Sequence, residues 1–198
     1  MKEKTIPVSI APKIISEADR LLAIEHFRSM LEALGLSTEE NPHLLSTPRR
    51  VIDAYIELFH DEPWNFTTFP NDGDSGIVLV RDIPFTSVCA HHFAFFSGVA
   101  HVAYIPGKKL VGLSKLARTV QSFAKGPNVQ ELIGKKSADF LMEHLEPVGV
   151  AVILKAEHTC MTERGAKAHG ASTVTSSLRG CFQNEAPARA ELMSLLGV

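Results

Sequence analysis

Cysteine is scarce, with three in 198 residues. An odd trio closes no disulfide framework, so the chain is not a stapled secreted scaffold, and a reducing, cytoplasmic setting is expected. Basic excess is also missing: 20 Lys plus Arg stand against 22 Asp plus Glu, a formal charge of −2. That balance excludes a general nucleic-acid or anionic-membrane binder. Long apolar runs are absent as well. The Met1–Asp19 segment lacks the continuous apolar core of a signal peptide. The longest stretch free of Asp, Glu, Lys and Arg, Ile83 to Gly107, contains His91, His92, His101, Pro84, Pro106 and two glycines, and fails as a membrane helix. No repeat or low-complexity segment is present. What remains, 45% hydrophobic and 21% charged residues, is an ordinary globular chain of about one domain.

The element pattern predicts an α+β fold. Ser16 and Asp19 form a capping-box pair, and Leu21, Ile24, Phe27, Leu31 and Leu34 keep helical spacing as far as Gly35. Thr47-Pro48 reads as an N-cap with proline at the first helical position, followed by a stripe of Val51, Ile52, Tyr55, Leu58 and Phe59. The stretch from His60 to Gly76 reads as a long connection. Strands are expected over Ile77–Phe85 and Val99–Ile105, helices over Ser114–Lys125 and on to about Leu145, then strands over Val148–Glu157 and Ala171–Leu178. A short helix over Pro187–Leu196 closes the chain. This order predicts an antiparallel sheet with helices on one face.

Two local clusters carry chemistry. Cys89 and His92 are three apart, so one tight turn can aim both at a point. Val150, Val152, Leu154 and Ala156 share a strand parity that His158 and Cys160 continue. Cys89, His92 and Cys160 make a Cys₂His set with a fourth position open, the catalytic form of a zinc site, and no Cys-x-x-Cys pair offers a closed structural one. His91 and His158 are then free for proton transfer. Read from spacing alone, the same residues also fit a buried cysteine and packed histidines. Cys181 reads as a small core or surface residue, and His26, His43, His60, His101, His144 and His169 as packed or solvated. No Gly-rich phosphate loop precedes a helix.

Cys89-Ala90-His91-His92, His101-Val102-Ala103-Tyr104-Ile105-Pro106, Gly112-Leu113-Ser114-Lys115, Val129-Gln130-Glu131, His158-Thr159-Cys160-Met161, Arg164-Gly165 and Ser172-Thr173-Val174-Thr175 follow in order. Together with Thr47-Pro48-Arg49-Arg50-Val51 they resemble the GTP cyclohydrolase I family, over roughly residues 20 to 196. The resemblance implies a tunnelling fold over residues 71–198 preceded by an N-terminal helical region, 1–70. It also implies a homo-oligomeric ring, typically a homodecamer, with active sites built between subunits. The implied activity is conversion of GTP to 7,8-dihydroneopterin triphosphate and formate. Zn2+ would sit on Cys89, His92 and Cys160. His158 would protonate purine N7 while water activated by zinc attacks C8, and His91 would serve the ribose-opening steps. Gln130 and Glu131 would lie against guanine; Arg50, Ser114, Lys115, Arg118 and Arg164 would surround the ribose and triphosphate.

A carboxylate at Glu131 can accept from both guanine N1–H and the 2-amino group, whereas adenine leaves one oxygen unpaired. The chain departs from the family at Ala90, where Glu is usual, and at Gly126, Asn128, Leu132 and Gly134. Two further readings are a relative that only opens the purine ring to a formamidopyrimidine, and a non-catalytic GTP-binding paralogue. Dihydropterins feed folate, tetrahydrobiopterin and deazaguanine routes, and no residue selects among them.

Overall fold

A computed structural model describes residues 4–8, 15–73 and 75–197; positions 1–3 and 9–14, part of the Met1–Asp19 segment read above for a targeting core, lie outside these. Ser16 caps α1 (Glu17–Ala33), its Oγ accepting the Asp19 amide at 3.1 Å and donating to the Asp19 carboxylate at 2.7 Å. Of the α1 stripe only Leu31 is buried, while Leu21 and Leu34 are 52% and 68% exposed. The helix packs on α2 (Thr47–Phe59) and is tied to it by Arg20 and Asp53 at 2.6 Å. The cap of α2 differs from expectation. Ser46 holds the N-cap position without a side-chain bond, and Thr47 already lies in the helix, with its hydroxyl donating to the His43 carbonyl at 3.3 Å.

The long connection expected over His60–Gly76 contains a strand, β2 (Trp64–Pro70), which pairs antiparallel with β1 (Lys4–Val8). Trp64, Phe66 and Thr68 alternate inward, a period-2 signal masked in the sequence by the flanking Pro, Gly, Asn and Asp. β1 likewise places extended chain within the expected N-terminal helical region. The Trp64 indole N–H donates to Ser122 Oγ at 2.8 Å, and that hydroxyl donates to Asp61. Ser122→Ala leaves a buried N–H unpaired and is expected to cost about 1–3 kcal/mol. The measurement is a lowered urea midpoint at unchanged slope.

The main sheet runs β6-β3-β4-β7-β8, from β3 (Val78–Cys89), β4 (Phe95–Ile105), β6 (Pro127–Asn128), β7 (Gly149–His158) and β8 (Thr173–Gly180). Its pairings are antiparallel except β3 with the two-residue β6. The remaining strand, β5 (Lys109–Val111), completes the smaller sheet beside β2. On one face Ala100, Val102, Tyr104, Val150, Val152 and Leu154 meet apolar residues of α3 (Leu113–Phe123) and α4 (Gln130–Leu145). α4 also lies close over β8: a Cβ on Gly134 would stand 3.0 Å from Ser177 Oγ.

Helices are not confined to one face as expected. Ala103 and Ala151, of opposite parity, pack with Cys181 and Phe182 of α6 (Cys181–Asn184) and Leu192 of α7 (Ala186–Leu196). β4 and β7 carry apolar residues on both parities, so both faces need a cover. Among the described residues no helix is long and apolar enough to cross a membrane.

Candidate active site

The β3–β4 turn builds the first half of the site. The Cys89 amide donates to the Ala94 carbonyl at 2.8 Å, and the Phe93 amide donates to the Cys89 carbonyl at 2.9 Å. Phe93 takes the left-handed region at φ 56°, which costs a bulky residue and needs support. That support comes from α2: the Tyr55 hydroxyl donates to the Phe93 carbonyl at 3.0 Å, and its ring lies 5.0 Å from that of Phe93 and 5.6 Å from that of Phe95. From the other side, the Ala90 amide donates to the Asn128 carbonyl at 2.9 Å. The buried Asn128 amide in turn donates toward the carbonyls of Phe123, Lys125 and Gly126, tying the end of α3 to the turn.

The second half comes from the end of β7. Strand parity carries as far as His158 but not to Cys160, which sits in the single-turn helix α5 (Thr159–Thr162). Thr159 Oγ1 anchors this turn by donating to the Phe95 carbonyl at 2.7 Å. The turn, rather than continued strand, brings Cys160 Sγ to 3.8 Å from Cys89 Sγ, with His92 Nδ1 3.7 Å from Cys89 Sγ. All three ligand atoms lie within 4.8 Å of one another. Tetrahedral zinc, with Zn–S of ~2.3 Å and Zn–N of ~2.0 Å, spans edges of roughly 3.8 Å for S···S and 3.5 Å for S···N. The two edges at Cys89 therefore match a zinc ion in spacing, and the donor set matches it in softness. Burial pushes the Cys160 thiol up, the neighbouring Cys89 adds to this, and Arg164 opposes it.

His158, half-buried, stacks on Phe96, its direct cross-strand partner, at 4.4 Å and 9°. Burial lowers its pKa below the ordinary imidazole value, partly offset by the charge of Glu131. Its Nε2 lies 2.9 Å from Gln130 Oε1. A cavity of about 230 Å³ joins these groups, lined by Cys89, His91, His92, Glu131, His158 and Cys160, among others. Gln130 lines it too but is 1% exposed, with its amide nitrogen near the Leu154 and Thr173 carbonyls and Thr175 Oγ1.

Arg50, Ser114, Lys115, Arg118 and Arg164 do not line this cavity. Arg50 is exposed on α2; Ser114, Lys115 and Arg118 lie on α3, and Arg118 lines a separate cavity with Glu57, Asp61 and Glu62. Cys181 is core, at 7% exposure. His101 Nδ1 accepts the Asp82 amide at 3.2 Å, His60 Nδ1 lies 2.9 Å from the Ile56 carbonyl, and His144 packs on Phe140. Sequence reasoning missed Tyr55, Phe96 and Thr175 as supports of the site. Phe96 lies outside the strand expected over Val99–Ile105, so its register opposite His158 emerges only from the sheet.

The family model for GTP cyclohydrolase I matches residues 23–197. The chain belongs to the GTP cyclohydrolase I family. Curated relatives, each named GTP cyclohydrolase 1, include that of Geobacillus sp. (strain WCH70), 49% identical over 85% of this chain and 92% of its own. That of Bacillus cytotoxicus is 50% identical over 87% and 94%, and that of Clostridioides difficile (strain 630) is 47% identical over the same shares. The archaeosine synthase QueF-Like in its apo form is similar over 56% of this chain and 97% of its own, with TM-score 0.41 and 16% identity. As a GTP cyclohydrolase I family member, the chain is an enzyme, and Cys89, His92 and Cys160 are a group able to hold a metal.

Proposed function

We propose that this enzyme converts GTP to 7,8-dihydroneopterin triphosphate and formate, with zinc held by Cys89, His92 and Cys160. The carrying observation is the ligand triad sharing one cavity with two further histidines and a carboxylate. A zinc ion bound there supplies the Lewis acidity that makes water nucleophilic near neutral pH. Glu131 orients the base by accepting from guanine N1–H and the 2-amino group. His158 protonates N7, drawing electron density from C8, and His91 handles protons during ribose opening and reclosure.

Arg50, Ser114, Lys115, Arg118 and Arg164 hold the ribose and triphosphate from neighbouring subunits. The cavity in one chain is smaller than the roughly 300–1,000 Å³ of whole-ligand pockets, which suits a base-and-metal half-site. The proposed architecture is a tunnelling-fold catalytic domain, 71–198, after an N-terminal region, 1–70, in a cytoplasmic homodecameric ring. The exposed Leu21, Leu22 and Met30 of α1, with Leu34 just beyond it, support burial against another copy.

Incubating the protein with GTP and zinc tests the reading. Formate plus a pterin that fluoresces after oxidation supports it, a ring-opened product alone points to the formamidopyrimidine reading, and unchanged GTP overturns catalysis. His158→Ala is expected to stop before ring opening, and His91→Ala to accumulate a later, ring-opened species, as resolved by chromatography of quenched reactions. Identical stalled species would sink that division of labour.

A further inference from the structure

Both polar side-chain atoms of Gln130 are engaged within the chain. Its Nε2 lies 3.1 Å from the Leu154 carbonyl, 3.1 Å from the Thr173 carbonyl and 3.0 Å from Thr175 Oγ1, and its Oε1 lies 2.9 Å from His158 Nε2. Two of those neighbours are backbone carbonyls, which only accept, so the NH₂ must face them. The reverse amide orientation would set oxygen against oxygen. Oε1 therefore faces His158, and because an amide oxygen only accepts, His158 Nε2 must carry the hydrogen.

We propose that Gln130 is a positioning residue: by accepting from Nε2–H it holds the His158 ring in one orientation, so that Nδ1, which takes a proton from water and gives it to the substrate, is the only nitrogen that exchanges. This rests on the reading of His158 as the N7 acid. Nδ1 has no hydrogen-bond partner among the described residues, and the parallel stack on Phe96 fixes the ring plane. A flipped ring would trade Nε2–H for a carbon at Gln130 and forfeit the bond. The clamp is itself clamped: β7 supplies Leu154, and β8 supplies Thr173 and Thr175. Gln130, the first residue of α4, thus locks the sheet, the acid and the helix carrying Glu131 together.

The test uses zinc-loaded enzyme and the rate of GTP ring opening. Gln130→Leu, close in size but unable to bond, is expected to lower that rate about 10–100-fold, with KM for GTP within about threefold. Thr175→Val, which loosens the amide without touching His158, should give a smaller loss of the same kind. It carries the test where Gln130→Leu does not fold. A raised KM at constant turnover would instead make Gln130 a guanine contact and overturn the proposal. In a His158→Ala background, Gln130→Leu should add no further loss; an additive loss overturns the coupling.

Magic-angle-spinning 15N spectra of histidine-labelled protein give a readout independent of turnover, with His158 assigned by its loss in His158→Asn. In the neutral ring a proton on Nε2 and a bare Nδ1 are expected in the wild type, and a neutral ring protonated on Nδ1 instead overturns the clamp. Were His158→Ala to ring-open GTP normally, the acid role would fall while the spectra still decided the tautomer.

Discussion

Cys89→Ser is expected to leave the fold intact and remove both metal and turnover. Cys89 is buried and central to the triad, within 3.8 Å of Cys160 Sγ and 3.7 Å of His92 Nδ1, so its loss breaks two edges of the ligand triangle at once. Structural zinc sites gain about 10–16 kcal/mol from their full ligand set, so one thiolate among three protein ligands carries several kcal/mol. The expected result is a fall in zinc affinity of at least about 10³-fold and no measurable formate release. Metal content after gel filtration, read beside circular dichroism, checks it. Serine is small enough for the turn, and the Cys89–Ala94 and Phe93–Cys89 backbone bonds do not depend on the thiol. A variant that keeps stoichiometric zinc would remove Cys89 from the site.

Two dead variants are expected to revive each other. On the proposed assignment, Cys89→Ser would remove the base-and-metal half of the site, and Lys115→Ala the phosphate half on α3. In a single chain Lys115 does not line the cavity that holds Cys89. If, as proposed, the two halves come from different subunits, denaturing and co-refolding equal amounts gives some interfaces with both halves intact. Random mixing predicts about a quarter of the sites active, against almost none in either parent. Formate release per total subunit, relative to wild type, measures it. Failure to complement, with mixed rings confirmed by mass, would mean each chain builds its site alone.

Local and short-range features of this chain were legible in its sequence. The Ser16 cap, the helices over α3, α4 and α7, and the strand parity from Val150 to His158 each arise within a few residues and stand as read. The Cys89, His92 and Cys160 grouping was legible through ligand chemistry, although the reason Cys160 arrives is a helical turn and not strand parity. Long-range pairing was harder to read. β2 pairs with β1 far upstream and β5 well downstream, so nothing near His60–Gly76 announces it except the alternation of Trp64, Phe66 and Thr68. Helices on the second face became necessary only once Ala103 and Ala151 were seen side by side. Gln130 illustrates the same limit at the site: its four partners lie 24 to 45 residues away, on β7 and β8.

The two-residue strand β6 sets a length constraint on the chain. Pro127 and Asn128 pair with Val88 and Cys89, and Gln130 opens α4 two residues later. A single residue inserted between Phe123 and Gln130 would slip this register, turning side chains to the opposite face and rotating Glu131 about 100° around the helix. The loop between α3 and α4 is therefore closed to insertions and deletions. Length variation in relatives should fall instead at turns such as 71–73, whose residues do not line the cavity of Cys89, His92 and Cys160.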